Sequence, residues 1–247
     1  MEKEDKLLLA GVEDKLQQCM DYEIPVNTGF LDMRQCTLAY NHCKKIKGIR
    51  FLLEGGHDEA ERKICIFMPL CDMEYHPLAA LRIRKKGPNN LTHRDYLGSI
   101  LGLGIKREQV GDILVTPEGA DVLILQELSD FFLYHLDRVG NTPVTVQLIP
   151  LSEVFEAESH FEEIRLTVSS LRLDNVVAAV YKTSRSDAAD AIQKGLVYIN
   201  GMQIMKTDKL LQEGDKLVYR GKGKNILNRI SGKTAKDKNV LFIHKYL

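Results

Sequence analysis

The chain has 247 residues, of which 44% are hydrophobic and 28% charged, with 34 Lys+Arg against 34 Asp+Glu. This is the balance of a folded protein rather than a disordered one, and the length accommodates two or three domains of ~100–150 residues. No apolar run approaches the ~20 residues that cross a bilayer, and the start MEKEDKLLLAGVEDKL lacks a signal-peptide core. The five cysteines (Cys19, Cys36, Cys43, Cys65, Cys71) are odd in number and form no CxxC pair, which argues for buried thiols and against a disulfide framework or a zinc ribbon. A cytoplasmic protein without membrane, metal or cofactor is expected, and a monomer, since no coiled-coil heptads appear.

The zero net charge conceals an asymmetry. Residues 1–164 carry 18 Lys+Arg against 27 Asp+Glu, whereas residues 165–247 carry 16 against 7. A basic carboxyl-terminal third on an acidic body implies an anion-binding module carried by a scaffold.

Residues 1–74 read as a mainly helical segment followed by a small strand pair. QCTLAYNHCKKI (35–46) places Cys36, Leu38, Ala39 and Cys43 on one helical face, while IRFLLE (49–54) and KICIFMPL (63–70) read as strands. Between them, Asp58 and Glu61 in GGHDEAER have the spacing that caps a short helical turn. His57, Glu61 and Arg62 are therefore either a polar site or the solvated charges of that turn.

From residue 75 to 164 the order strand, helix, strand, strand, helix, strand predicts a ferredoxin-like βαββαβ domain. Its segments are LAALRIRK, LTHRDYLGSILGLGI, GDILVTPEGADVLILQEL around a Pro-Glu-Gly turn, SDFFLYHLDRVG ending at Gly140, and PVTVQLIP. RNA-recognition motifs share this topology, but LAALRIRK and DVLILQE carry no aromatic on which a base could stack. RNA contact in this domain would be electrostatic, through Arg82, Arg84, Lys85, Lys86, His93, Arg94, Lys106 and Arg107. THRDYLG is not a kinase catalytic loop, because no Asn follows at the required spacing and no DFG occurs. It reads instead as a capping pair, Thr92 with Asp95, and a staple, Leu91 with Tyr96. Gly98, Gly102 and Gly104 do not match GxGxxG; glycines are costly in a helix, and these fit a helix packed closely on another backbone or lying against RNA.

The carboxyl-terminal third is more specific. Leu173, Val176, Val177 and Val180 form one apolar helix face. A second helix starts at Ser184, with Asp187 as its capping partner, and stops at Gly195. LVYINGMQI is a hairpin around Asn200-Gly201, and Glu213-Gly214-Asp215 turns into the strand KLVYR, followed by a flexible basic run, GKGK. Arg172 and Arg185 sit in the first turns of the two helices, where free backbone N–H groups and a guanidinium together make a phosphate site. Lys182, Lys194, Arg220, Lys222 and Lys224 extend it.

The run R-L-D…S-R-S-D-A…I-Q-K-G-L-V-Y-I-N-G…L-Q-E-G-D-K-L-V-Y-R-G-K-G resembles the S4 RNA-binding domain over about residues 170–224. The resemblance implies binding of structured RNA by the two-helix surface and hairpin, here through Arg172, Lys182, Ser184, Arg185, Ser186, Lys194, Asn200, Arg220, Lys222 and Lys224. Beyond it, EGGHDEAERK, LTHRDYLGSILGLGIKREQVGDILV and SGKTAKDK are similar to the bacterial YlmH proteins nearly end to end. That likeness implies a ribosome-associated protein that engages rRNA or tRNA on large subunits carrying peptidyl-tRNA, in translation quality control. Lys224 stands where an Arg is expected, which replaces a bidentate fork by a point charge.

The expected architecture is α+β and multidomain: a helical segment with a strand pair (1–74), a ferredoxin-like (RRM-like) domain (75–164) and an S4 domain of αL type (165–247). The expected function is non-catalytic RNA binding. S4-containing RNA-modifying enzymes are the alternative, as is an accessory adaptor. Pseudouridine synthases place the domain first, before a catalytic domain that cannot fit in the 23 residues after Lys224. Tyrosyl-tRNA synthetases require HIGH-like and KMSKS-like signatures, and a methyltransferase a Gly-rich cofactor loop after a strand; none is present.

Overall fold

The computed structural model describes residues 3–71, 73–155 and 161–246. It divides into two units, Met1–Ala157 and Glu158–Leu247. Glu2, part of the charged start, and residues 156–160 of the expected middle domain lie outside the described residues.

The first unit begins with α1 (Lys3–Tyr22), β1 (Val26–Asn27), α2 (Met33–Cys43), β2 (Arg50–Glu54) and β3 (Ile64–Met68), whose strands pair in the order β1-β3-β2. Asp32 caps α2: its carboxylate accepts the Gln35 N–H, and the Gln35 side chain accepts the Asp32 N–H in return. Cys19, Cys36, Cys43 and Cys65 pack with Val12, Leu16 and Phe67 as small apolar groups, while Cys71 is exposed. The pair of expected strands is thus a three-stranded sheet, because β1 is too short to leave a pattern.

Next come β4 (Leu78–Lys85), α3 (His93–Gly102), β5 (Val110–Thr116), β6 (Gly119–Leu125), α4 (Ser129–His135), β7 (Arg138–Val139) and β8 (Thr142–Ile149), in an antiparallel sheet ordered β5-β6-β4-β8-β7. Apart from the short β7, this is the ferredoxin-like order. Gly140 does not end a helix: α4 stops at His135, and Gly140 (φ 56°) turns β7 into β8, where Val139 opposes Thr142. The carboxylate of Asp95 accepts both the N–H and the hydroxyl of Thr92 at the start of α3, and Leu91 and Tyr96 join the core beneath it. A Cβ on Gly98, Gly102 or Gly104 would meet nothing within 4 Å, so close packing on another backbone does not explain these glycines.

The alternation in β4 shows why this sheet has no open platform. Ala79, Leu81 and Ile83 pack against Tyr96 and Ile100 of α3 and Phe132 of α4. Leu78 and Ala80 on the opposite face pack with Phe30, Ile64 and Ile66 of the amino-terminal segment. The segments expected as separate domains, 1–74 and 75–164, therefore share one apolar cluster.

GGHDEAER makes a single hydrogen-bonded turn, Ala60 N–H to the His57 carbonyl, rather than a helix; Asp58, Glu59 and Glu61 are exposed as the solvated-charge reading expects, but His57 and Arg62 are not. Asp112 of β5 accepts the N–H groups of Glu61 (2.7 Å) and Arg62 (3.1 Å) and contacts His57 Nε2 (3.1 Å), with the side chains of His57 and Asp112 only 7% and 13% exposed. The Arg62 guanidinium donates to the carbonyls of Val110, Phe30 and Arg107. The motif is a clasp that fastens the amino-terminal segment to β5. Burial pushes the Asp112 carboxyl up, but His57 and the two N–H groups outweigh it and hold it below the usual carboxylate range. A lowered folded-state pKa contributes stability that is complete above the unfolded value of about 4 and is lost as pH falls through the folded value. Asp112→Asn should therefore cost about 2 kcal/mol at pH 7 and flatten the acid limb of the stability profile, as urea unfolding between pH 2 and 7 will measure.

The second unit comprises β9 (Phe161–Val168), α5 (Leu173–Val180), α6 (Arg185–Gln193), β10 (Val197–Ile199), β11 (Met202–Gln203), β12 (Lys216–Tyr219), β13 (Gly223–Lys233) and β14 (Asn239–Tyr246). They form one sheet ordered β11-β10-β12-β13-β14-β9. The helices cover one face, where Leu173, Val176, Val177 and Val180 of α5 and Ala188 and Ile192 of α6 pack with Leu217, Leu227, Leu241 and Ile243. Ser184 caps α6 as the spacing predicts, and Asn200-Gly201 (φ 49° and 75°) forms the two-residue turn between β10 and β11. GKGK is not a flexible run: Gly223 and Lys224 open the eleven-residue β13.

Candidate nucleic-acid interface

Asp174 organises the start of the two-helix layer. It is 4% exposed, and its carboxylate accepts from Arg172 Nε and Nη2 (both 3.2 Å), from Arg185 Nε and Nη2 (3.0 and 2.9 Å), and from the Asn175 N–H (2.9 Å). Burial raises its pKa, yet the two guanidinium groups prevail and hold it below the usual range. The cluster thus has two positive charges on one negative, and each guanidinium uses two of its five N–H donors on the carboxylate. The side chains of Arg172 and Arg185 are 38% and 56% exposed.

The expected phosphate site of free helix-end N–H groups is corrected at α5. At α5, the N–H groups of Leu173 and Asp174 donate to the carbonyls of Lys209 and Thr207, because the segment before β12 crosses this helix end and Arg172 bridges Leu210. At α6, the Ser184 hydroxyl accepts the Asp187 N–H, and the Asp187 carboxylate, also bonded to the Thr183 hydroxyl, occupies the first turn. An anionic side chain already complements that helix dipole. At α5, what the two-helix side offers a ligand is side-chain charge rather than backbone N–H groups.

The other expected residues divide between places. Lys222, at the tip of the β12–β13 turn, lies over the Tyr219 ring at 5.0 Å and close enough to Asp187 to help lower its pKa. It therefore joins Arg172, Lys182, Arg185 and Ser186 on the helix side. Lys194 caps the far end of the nine-residue α6, ~13 Å along the axis from Arg185 at 1.5 Å per residue. Asn200 holds turns together: its amide donates to Asp215 (2.8 Å) and accepts the Lys216 N–H (2.9 Å). Arg220 and Lys224 stand on the opposite face of the sheet, over the rings of Tyr198 and Tyr246.

Tyr181 fixes the β12–β13 turn. Its hydroxyl accepts the Tyr219 N–H (3.1 Å) and donates to the Gly223 carbonyl (3.0 Å), and its ring meets that of Tyr219 edge-on at 5.2 Å. Tyr181→Phe leaves that N–H without its partner and should cost about 1–2 kcal/mol in urea unfolding.

In the first unit, two of the expected contacts serve the fold. Arg82 is clamped on the buried Asp121 through Nε and Nη2 (2.9 and 2.8 Å) and on the Glu153 carbonyl. Arg107 donates to the carbonyls of Val110 and Gly111. Lys85 donates to the Asn89 carbonyl (2.8 Å). Arg84, Lys86, His93, Arg94 and Lys106 are exposed.

A two-helix layer on a hairpin-bearing sheet, with arginines converging at its edge, defines an S4-type RNA-binding protein, and the family model for the S4 domain matches residues 171–217. A second family model, described as "Putative RNA-binding domain in YlmH", matches residues 79–153. The chain is 34% identical over 220 residues, 85% of its own length and 83% of the relative's, to the ribosome-associated protein quality control protein P2 of Bacillus subtilis (strain 168). The chain belongs to this YlmH family. The solved structure of cell division protein ylmH from Streptococcus pneumoniae shares the fold with a TM-score of 0.56 at 24% identity, covering 63% of this chain and 97% of that one.

Proposed function

We propose that this protein binds structured RNA, rRNA or tRNA, on the large ribosomal subunit and acts there without catalysis or cofactor, as a cytoplasmic monomer, in quality control of subunits that carry peptidyl-tRNA. The observation that carries this reading is the pair of half-exposed guanidinium groups held on Asp174 inside the span matched by the S4 domain. Arg fixed in this way presents its remaining donors in a rigid fork suited to phosphate, and Lys182, Lys222 and Lys194 extend the positive edge. The name of the Bacillus subtilis relative supports the ribosomal setting, and the match of the middle region to an RNA-binding domain supports binding over reaction. The Met1–Ala157 unit serves as the scaffold and the basic Glu158–Leu247 unit as the RNA contact.

The test is sedimentation of the full chain through sucrose gradients with separated ribosomal subunits. Comigration with large subunits that weakens steeply between about 50 and 200 mM salt supports the proposal, since release of ~5 phosphate contacts costs two to three orders of magnitude over that range. Absence from the large-subunit fraction at 50 mM overturns it.

A further inference from the structure

The face of the six-stranded sheet that the helices leave uncovered carries aromatic rings beside cations. Register places Tyr198, Val218, Lys224, Tyr246 and Phe161 in one row across five strands. A second row holds Lys216, Ile226, His244 and Glu163. Beyond the bulge at Leu227/Arg229, Arg229 opposes Phe242, which opposes Arg165. The cations lie on the rings: Arg220 is 5.6 Å from the Tyr198 centroid, Lys224 is 4.7 Å from Tyr246, and Arg229 is 4.3 Å from Phe242. Phe161 and His244 stack at 3.9 Å with an interplanar angle of 16°, and Phe161 is 42% exposed.

We propose that this face is a second RNA contact, distinct from the helix side, which takes a single strand by stacking bases on Tyr198, Tyr246, Phe242 and Phe161 and neutralising phosphates with Arg220, Lys224, Arg229 and Arg165. Three physical points favour this occupant. Every base has a π-face, so rings spread over a sheet hold single strands without reading sequence, and each stacked base is worth about five- to 150-fold in affinity. A duplex hides those faces. Among the described residues of this face, Arg165, Lys216, Arg220, Lys224 and Arg229 stand against one carboxylate, Glu163, so the surface complements a polyanion. The row from β10 to β9 crosses four inter-strand steps of ~4.8 Å, about 19 Å, which suits roughly three to four extended nucleotides.

The experiment uses the full chain and two labelled RNAs, a 12-nucleotide single strand containing 2-aminopurine and a stable hairpin, each titrated by fluorescence anisotropy at several salt concentrations. Arg220→Gln with Arg229→Gln should weaken the single strand at least tenfold and lower its log–log salt slope by about 1.4, at ~0.7 per phosphate contact, while hairpin binding changes less than twofold. Tyr198→Leu with Phe242→Leu should weaken the single strand at least tenfold with an unchanged slope and reduce the 2-aminopurine quenching that reports stacking. If the leucine pair lowers the melting temperature, the glutamine pair alone decides. Unchanged single-strand affinity in the glutamine pair overturns the proposal. So does a wild-type single-strand Kd above 100 μM at 100 mM salt, or a wild-type dimer in sedimentation equilibrium that the glutamine pair makes monomeric. Loss of hairpin binding on the helix side leaves this result untouched, so the two surfaces fail separately.

Discussion

Replacing Arg172 and Arg185 by Gln together with Asp174→Asn is expected to weaken binding of structured RNA at least tenfold while leaving the fold intact. The triple change follows from the geometry. Alanine at both arginines would strand the Asp174 carboxylate, 4% exposed, without either guanidinium partner, and a buried uncompensated charge unfolds proteins on its own account. The amides of the triple variant can still hydrogen-bond one another, so the helix start keeps its partners. Two positive charges and one negative leave, so the salt slope for a hairpin RNA should fall by about 1 to 2 at ~0.9 per phosphate contact. Filter binding at four salt concentrations measures both quantities, and a melting temperature within a few degrees of wild type shows that the fold survived. Unchanged affinity would move the structured-RNA site away from the two-helix edge, leaving Lys182, Lys194 and Lys222 without their centre.

Local signals in the sequence were legible where one element suffices to produce them. The apolar face of α5, the Ser184 cap and the Asn200-Gly201 turn each depend on residues within about seven positions of one another, and each is where the pattern puts it. The ferredoxin-like order was legible because its strands and helices alternate at ordinary lengths. What was not legible is pairing over distance. Nothing in the spacing of R-L-D…S-R says that one carboxylate will hold both arginines, because Asp174 meets Arg185 across eleven positions only when α5 and α6 pack. Nor does the GGHDEAER segment announce Asp112, some fifty residues on. The strands β13 and β14 were obscured by glycines and lysines in 221–238, although Val240, Phe242, His244 and Tyr246 alternate with inward-facing Leu241 and Ile243. The charge asymmetry identified the basic unit correctly but could not divide its cations between the two faces of a sheet. That division is why Arg220 and Lys224 stand with Tyr198 and Tyr246 rather than with Arg172.

Gly119→Ala should be the most damaging single methyl group in the first unit, with an expected cost of roughly 3–5 kcal/mol, the upper end for point substitutions. Gly119 opens β6 opposite Arg84 of β4, and a Cβ there would lie 1.8 Å from the Ile83 carbonyl oxygen and 2.9 Å from its carbon. Both obstacles are backbone in the strand that β6 pairs with, so no rotamer change relieves them. β6 must move outward, and it lies between β5 and β4 with every residue buried, so displacement breaks two ladders and opens the core that β4 shares with α3 and α4. Against a typical total of 5–15 kcal/mol, such a loss leaves the unit near its unfolding midpoint. Gly98→Ala supplies the contrast: in α3, with nothing within 4 Å of the added carbon, the same change should stabilise by roughly 0.5–1 kcal/mol, because alanine gives up less backbone freedom in a helix. Parallel urea denaturation of the two variants should therefore shift the midpoint in opposite directions, and a Gly119→Ala protein of wild-type stability would mean that β4 and β6 are not paired in this register.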